Sequence, residues 1–162
     1  MKATLFILSM TLSIFTFAQK VTKELMRIQS SEKNSKTIVF CKQSVSSQNS
    51  FLIKAKNESS SEYTNCTWEV QLSINKMKQL HQTLSQVNFE ENNKVTYKKF
   101  SIKVKKGRVK IIFFDSSCNK EHSTYYFQKS CNKELSFVLF PEQINSFVQV
   151  FDEELNNIIP EK

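Results

Sequence analysis

Glycine is almost absent from this chain of 162 residues, where Gly107 is the single example, and proline occurs only twice. This scarcity excludes a Gly-rich loop of the kind that cradles phosphate groups in nucleotide-binding enzymes. His-Glu-x-x-His, nucleophile-elbow and calcium-loop patterns are absent as well. Without a recognisable catalytic signature, the sequence predicts a protein that is not an enzyme and needs no cofactor.

Histidine is also scarce. His81 flanks the apolar side of a predicted helix, where a structural role is commoner than a catalytic one. His122 follows Glu121 in a polar loop, and a histidine beside a carboxylate is a nonspecific acid/base candidate. A small hydrolase centred on His122 is therefore one alternative function. No Cys-x-x-Cys pair accompanies these histidines, so no metal site is expected.

Long apolar runs are missing except at the N-terminus. Lys2 precedes an apolar run over residues 5–17, and Ala18 is a small residue suited to cleavage. This pattern predicts a cleaved signal peptide over residues 1–18, because a membrane-spanning helix needs about 20 apolar residues. Residues 19–162 would form the mature chain, secreted or periplasmic, with no integral membrane span.

Basic residues are abundant. Lysine and arginine total 23 against 15 acidic residues, which gives a formal net charge of +8. A basic balance favours acidic partners such as nucleic acid, an anionic polysaccharide or a membrane surface, although it also aids solubility. The partner is expected to be a protein or a polyanion.

The second half of the chain contains the clearest structural pattern. Residues 99–105 and 108–114 alternate apolar and polar side chains around Lys106-Gly107, which predicts a β-hairpin. Two further strands are predicted over residues 123–128 and 134–140. Pro141 then begins a predicted helix, and its apolar face comprises Ile144, Phe147, Val148, Phe151 and Leu155.

The first half has a similar order of elements. Strands are predicted over residues 24–29, 36–41, 51–56 and 67–72, although residues 21–28 also fit a short helix. A predicted helix follows, with Met77, Leu80, Leu84 and Val87 on one face. The expected fold is α+β: two tandem repeats, about 19–88 and 94–159, each a four-stranded antiparallel sheet followed by one helix, packed as a single domain.

An even number of cysteines in an exported chain predicts two disulfides. Cys41 and Cys118 each lie at or just past the end of a predicted second strand, and Cys66 and Cys131 each lie just before a predicted fourth strand. The repeat therefore predicts the pairs Cys41–Cys66 and Cys118–Cys131. Sequons at Asn57 and Asn65 matter only if the host glycosylates exported proteins.

A run of basic residues without any acid covers the predicted hairpin, residues 98–110. Strand alternation turns Phe100, Ile102, Val104, Val109, Ile111 and Phe113 inward. The predicted outer face carries Ile112, Phe114 and a candidate polyanion-binding set, Lys99, Lys103, Lys105, Arg108 and Lys110. Such a face can bind a polyanion. The commoner explanation, which the sequence alone favours, is a solvated edge whose lysines prevent sheet-to-sheet aggregation.

The hairpin also resembles a known family. Residues 98–105 read KKFSIKVK and residues 107–111 read GRVKI, which is similar to the opening hairpin of the Pur family of single-strand nucleic-acid binders. That resemblance implies repeats of four strands and a helix, with Lys103, Lys105, Arg108 and Lys110 on the nucleic-acid face. It covers only the first two predicted strands of the second repeat, and nucleic acid is not the favoured partner.

The sequence thus predicts an exported, non-catalytic binding or interaction protein. The first alternative is an extracytoplasmic polyanion or single-stranded nucleic-acid binder that uses hairpin 98–110. The second is the small hydrolase centred on His122.

Overall fold

The computed structural model describes residues 20–30, 36–45, 48–57, 65–121 and 133–158, without the side chains of 65, 66 and 119–121. These residues form nine strands and two helices, arranged as two antiparallel sheets, so the predicted α+β class is confirmed. The predicted signal peptide, the predicted strand 123–128, His122 and Cys131 lie outside the described residues.

The first sheet begins with four consecutive antiparallel strands, β1 (Val21–Ser30), β2 (Lys36–Val45), β3 (Gln48–Asn57) and β4 (Asn65–Ser73). Each predicted strand of the first half lies within one of them, and residues 21–28 form strand rather than helix. Strands β2 and β3 extend into the Ser-rich stretch 44–50, which the sequence predicted as a loop. Long cross-strand pairing extends both strands beyond their apolar segments.

Helix α1 (Ile74–Ser85) follows β4 directly and begins at Ser73, whose side-chain oxygen accepts a hydrogen bond from Lys76 N at 3.4 Å. This is the usual N-cap arrangement, in which a serine oxygen satisfies an unpaired amide of the first turn. Met77, Leu80 and Leu84 are buried at helical spacing, as predicted. Val87 lies just beyond the helix and is half-buried.

The second sheet differs from the prediction in its boundaries. Its strands are β5 (Asn93–Thr96), β6 (Phe100–Lys105), β7 (Arg108–Phe113) and, after β8 (Ser117–Glu121), β9 (Leu135–Leu139). The order is β5-β6-β7-β9, while β8 pairs with β4 and becomes the fifth strand of the first sheet. The sheets therefore have five and four strands, not four each.

The two missed strands are polar. The sequence placed β5 at the connection between repeats and β8 in a polar loop, because β5 has one apolar residue, Val95, and β8 has no alternating apolar pattern. Among the described residues both pair on one side only and lie at sheet edges, where burial does not require alternation. The predicted first strand of the second half, residues 99–105, is thus the second strand of its sheet.

Helix α2 (Pro141–Asn156) starts with proline in its first turn, and the Phe140 N–H donates to Gln143 Oε1 at 3.0 Å. The predicted apolar face is buried at Ile144, Phe147, Phe151 and Leu155, and Val148 is half-buried. The helix packs on the first sheet, where the Phe40 ring lies 5.2 Å from Phe147 and 5.8 Å from Phe151. Residues of both sheets and both helices form one continuous apolar core.

Contacts at the β9 edge join the two sheets. Val138 N donates to Ser30 Oγ at 3.2 Å, and Lys36 Nζ donates to Ser136 O at 2.8 Å. The end of β1 and the start of β2 therefore cover part of that edge, which leaves β5 at the opposite edge of the second sheet.

The predicted Cys41–Cys66 disulfide is wrong. Cys41 is a free, buried thiol on β2, and burial raises its pKa above the ordinary value. Strand β3 separates β2 from β4, so the two cysteines lie at least two strand spacings apart, roughly 9.5 Å, and the ladder registers place Cys41 across from Gln71, further along β4 than Cys66. A disulfide requires Cα atoms within about 7 Å. The prediction assumed that the second and fourth strands meet at their ends, and the strand order prevents this.

Cys118, on β8, is disulfide-bonded, and its partner is not among the described side chains. The free thiol of Cys41 leaves Cys66 and Cys131 as candidates. In the β4–β8 ladder Cys118 lies opposite Trp68, while Cys66 lies opposite Lys120. Cys66 and Cys118 are thus not cross-strand partners in this ladder. Cys118–Cys131 therefore stays our prediction.

Candidate anion-binding surface

The basic hairpin is formed by β6 and β7 and closed by a two-residue turn. Lys106 has φ 50° and Gly107 has φ 69°, the left-handed conformation that a type I′ hairpin turn requires at both central residues. The only glycine of the chain thus occupies a position where its conformational freedom is used. The turn fixes the register that pairs Lys105 with Arg108.

Alternation along the hairpin is as predicted. Its inward set, Phe100, Ile102, Val104, Val109, Ile111 and Phe113, is buried. On the outer side Lys103, Lys105 and Arg108 are exposed, and Lys110, Ile112 and Phe114 are half-buried. The Arg108 guanidinium lies 5.5 Å from the Phe140 ring, a cation–π distance that orients it over the end of β9.

Strand order changes the interpretation of these lysines. Strands β6 and β7 are the two central strands of their sheet, and β5 and β9 lie outside them. Lysines guard a sheet against aggregation when they lie on an exposed edge strand. Only Lys94, on β5, has that position. The edge-guard explanation therefore does not account for Lys103, Lys105, Arg108 and Lys110.

Like charges face one another across three neighbouring strands. Lys94 on β5 pairs with Lys103 on β6, and Lys103 pairs with Lys110 on β7. The Tyr97 N–H donates to Phe100 O and closes the β5–β6 hairpin, so Lys94 and Lys103 form a non-hydrogen-bonded pair. In such pairs the Cα atoms approach to about 4.5 Å and the side chains lie close together. Like charges placed opposite each other destabilise a sheet.

The outer face of the second sheet carries no compensating acid within the hairpin. Residues 94–114 contain no Asp or Glu, and β9 presents Ser136 and Val138 opposite Ile112 and Lys110. We call Lys94, Lys103, Lys105, Arg108 and Lys110 the basic face. Lys99 was predicted to belong to it but lies in the β5–β6 turn, with its Nζ 3.8 Å from Asp115 Oδ2. Lys94 was missed as a site residue because β5 was not predicted.

His81 and Glu154 both make contacts that join helix α2 to the rest of the fold. His81 joins the helices: its side chain is 14% exposed, and Nε2 lies 3.2 Å from Val148 O and 3.2 Å from Asp152 Oδ1. Glu154 is largely buried, unlike the exposed Asp152 and Glu153 beside it. Its carboxylate accepts hydrogen bonds from Lys23 and, at 3.2 Å, from Lys42, because α2 lies against β1 and β2. The hydrogen bond from Lys23 is the main cause that lowers the pKa of Glu154.

Within the described residues no three His, Cys, Asp or Glu side chains gather as a metal site would require. The two helices of the same part of the chain are too short or too polar to cross a bilayer. No protein-family model matches the chain, and no curated protein matches it.

Proposed function

We propose that the chain is an exported, non-catalytic binding protein that binds an anionic polymer on the basic face. The observation that carries this proposal is the row of lysines, Lys94, Lys103 and Lys110, placed opposite one another on adjacent strands. Repulsion between opposed lysines weakens the sheet, and Lys103 lies on a central strand where it has no edge to guard, so a bound polyanion would offset that repulsion.

The shape of the basic face fits a polymer. Five cationic groups extend across β5, β6 and β7, so successive anionic groups of one chain can each meet a cation. Each contact releases counterions, which makes such binding strongly dependent on salt. Export, which rests on the sequence pattern of residues 1–18, favours an extracellular polyanion such as a sulfated polysaccharide.

A gene duplication is part of the same proposal. In each half four antiparallel strands follow one another across a sheet and lead into a helix: β1 to β4 with α1, and β5, β6, β7 and β9 with α2. On this alignment β6 corresponds to β2, where Val39 and Cys41 occupy the outward side. Strand β3, the counterpart of β7, carries Lys54 and Lys56 on that side, but Lys54 lies 3.5 Å from Glu69. The larger set of outward cations belongs to the second copy, which supports a single binding face.

Retention on immobilised heparin at increasing salt tests the proposal. The parent is expected to bind at low salt, and Lys103→Gln/Lys105→Gln/Lys110→Gln is expected to elute at much lower salt. A matched control, Lys20→Gln/Lys78→Gln/Lys133→Gln, removes the same charge from exposed positions outside the face. If the two triple variants eluted at the same salt concentration, the effect would arise from net charge alone and the proposal would be wrong.

Single-stranded nucleic acid is the second candidate, and the apolar end of the outer face favours it. Ile112 and Phe114 continue the outward side of β7 beyond Lys110 and are half-buried. An aromatic ring beside cations stacks on bases, which is worth about 1–3 kcal/mol per base. Phe114→Ala should weaken single-stranded DNA binding and leave heparin binding unchanged if nucleic acid is the ligand.

A further inference from the structure

A cavity of about 330 Å³ lies at one end of the β5–β6 ladder, beside the basic face. Its lining is Asn92, Asn93, Lys94, Lys103, Val104 and Lys105, and we call it the β5–β6 cradle. Five of these residues lie on β5 or β6, and Lys105 ends β6 next to the type I′ turn. The cradle lies on ordered strands, whose register fixes its charged groups relative to one another.

Every polar side chain of the cradle is a cation or an amide, and none is a carboxylate. The Asn93 amide oxygen accepts a hydrogen bond from Lys94 N at 2.7 Å, so the group that Asn93 can present to a ligand is its NH₂ donor. Three lysines and two asparagines therefore line one open depression, and every charged side chain in its lining is cationic. This composition is complementary to an anion and unsuited to a cation.

The type of cation in the cradle limits which anions it can bind. Arginine, with its planar fork, suits a planar carboxylate, whereas lysine acts as a compact point charge with donors in three directions. The cradle has three lysines and no arginine. A tetrahedral group with three terminal oxygens, such as a sulfate ester or a phosphate monoester, can accept from all three ammonium groups at once. A phosphodiester has only two such oxygens.

We propose that the β5–β6 cradle is a discrete subsite for one terminal sulfate or phosphate monoester group of the ligand. This inference rests on the proposed polyanion function and specifies which chemical group is held most closely. The rest of the basic face, Arg108 and Lys110, then contacts neighbouring anionic groups along the polymer.

Nuclear magnetic resonance of the uniformly ¹⁵N-labelled mature protein, titrated with sodium sulfate at low millimolar concentrations, tests the cradle directly. The amides of residues 92–94 and 103–105 should shift and saturate, and sodium acetate at equal ionic strength should produce no saturating shift. Lys94→Gln/Lys103→Gln should weaken sulfate binding about a hundredfold, because each of the two lost charge-assisted hydrogen bonds corresponds to about a factor of ten. Lys78→Gln/Lys133→Gln, which removes the same charge elsewhere, should bind as the parent does.

Asn92→Asp provides a second variant at an exposed position, where the added carboxylate should abolish sulfate binding without affecting folding. Shifts that never saturate, or that are the same in parent and cradle variants, would overturn the inference. If heparin binds the parent while sulfate does not saturate, the cradle is wrong and the polyanion function stands. If sulfate saturates the cradle while no polyanion is retained, the polymer function fails and the subsite stands.

Two ligands, each tested with and without its terminal group, distinguish a sulfate ester from a phosphate monoester in the cradle. A sulfated oligosaccharide and a 5′-phosphorylated oligonucleotide are each compared with the forms that lack the sulfate or terminal phosphate. In Lys94→Gln/Lys103→Gln, the terminal group of one of the two ligands should no longer increase affinity, and that group is the one the cradle binds. If neither group matters to binding in the parent, the subsite is refuted.

Discussion

At the scale of single residues, Glu154 shows how the surroundings of a charge decide its role. Its side chain is 14% exposed and holds Lys23 and Lys42 of the first sheet to helix α2, whereas the adjacent Glu153 is exposed. Both residues carry the same charge on the same helix, and their difference arises from how α2 is turned toward β1 and β2. That orientation depends on tertiary packing, so residue type alone could not predict it.

Glu154→Gln is expected to lower the free energy of unfolding by about 1–2 kcal/mol, since it weakens two charge-assisted hydrogen bonds that are partly exposed. Glu153→Gln should change it by less than about 0.5 kcal/mol. The ordinary pKa of 4.5 is lowered in the folded protein, so the stabilisation is complete above that pH and is lost as pH falls through the folded-state value. Denaturant melts of both variants at pH 7 and pH 3 measure how much each substitution lowers the free energy of unfolding at the two pH values.

Phe151 tests the aromatic packing that joins α2 to the first sheet. Its ring lies 4.3 Å from Phe147, 5.8 Å from Phe40 and 5.7 Å from Phe51, and it is fully buried. Phe151→Ala should therefore destabilise the protein by about 3–5 kcal/mol through the cavity it leaves. A thermal or denaturant transition equal to that of the parent would contradict this packing of the helix.

At the scale of elements, sequence patterns predicted what burial dictates. Alternating apolar residues located β2, β3, β4, β6, β7 and β9, and helical spacing located both helices. Strands β5 and β8 were missed because an edge strand is held by backbone hydrogen bonds, which need no particular side chains. The basic residues of the hairpin were found, but Lys94 was not, since its membership depends on a pairing that the pattern does not reveal.

The turn between β6 and β7 gives a prediction at this scale. Gly107→Ala should lower stability by about 1 kcal/mol, because φ 69° is costly for a residue with a Cβ, even though the added carbon meets no atom within 4 Å. Lys106→Asn, which creates the preferred Asn-Gly turn, should instead raise stability slightly. A lower melting temperature for Gly107→Ala together with a higher one for Lys106→Asn would support the type I′ turn. Similar decreases in both variants would contradict it.

At the scale of the whole molecule, strand order decides which residues meet. The tandem order of strands and helices was legible from periodicity, but β8 joins the other sheet and β3 separates β2 from β4. The position of β3 invalidates the Cys41–Cys66 pair, and the pairing of β5 with β6 moves the basic hairpin from an expected edge to the centre of its sheet. Both depend on long-range pairing, which a local pattern does not contain.

Peptide mapping under non-reducing conditions tests this topology. We expect Cys118 linked to Cys131, and Cys41 recovered as an unmodified thiol that reacts with alkylating reagents only after unfolding, because it is buried and its pKa is raised. Cys41→Ser serves as the control for assignment of the reactive thiol. A Cys41–Cys66 link would contradict the β2-β3-β4 strand order.

The most direct test of the central claim is the salt dependence of heparin-oligosaccharide affinity, measured by titration calorimetry for the parent and the two triple lysine variants. If the basic face binds the polymer, log Kobs falls linearly with log salt concentration in the parent. Lys103→Gln/Lys105→Gln/Lys110→Gln should then flatten that slope by about one unit, or slightly less, per lost contact. Lys20→Gln/Lys78→Gln/Lys133→Gln should keep the parental slope. Equal slopes in all three proteins would contradict the account.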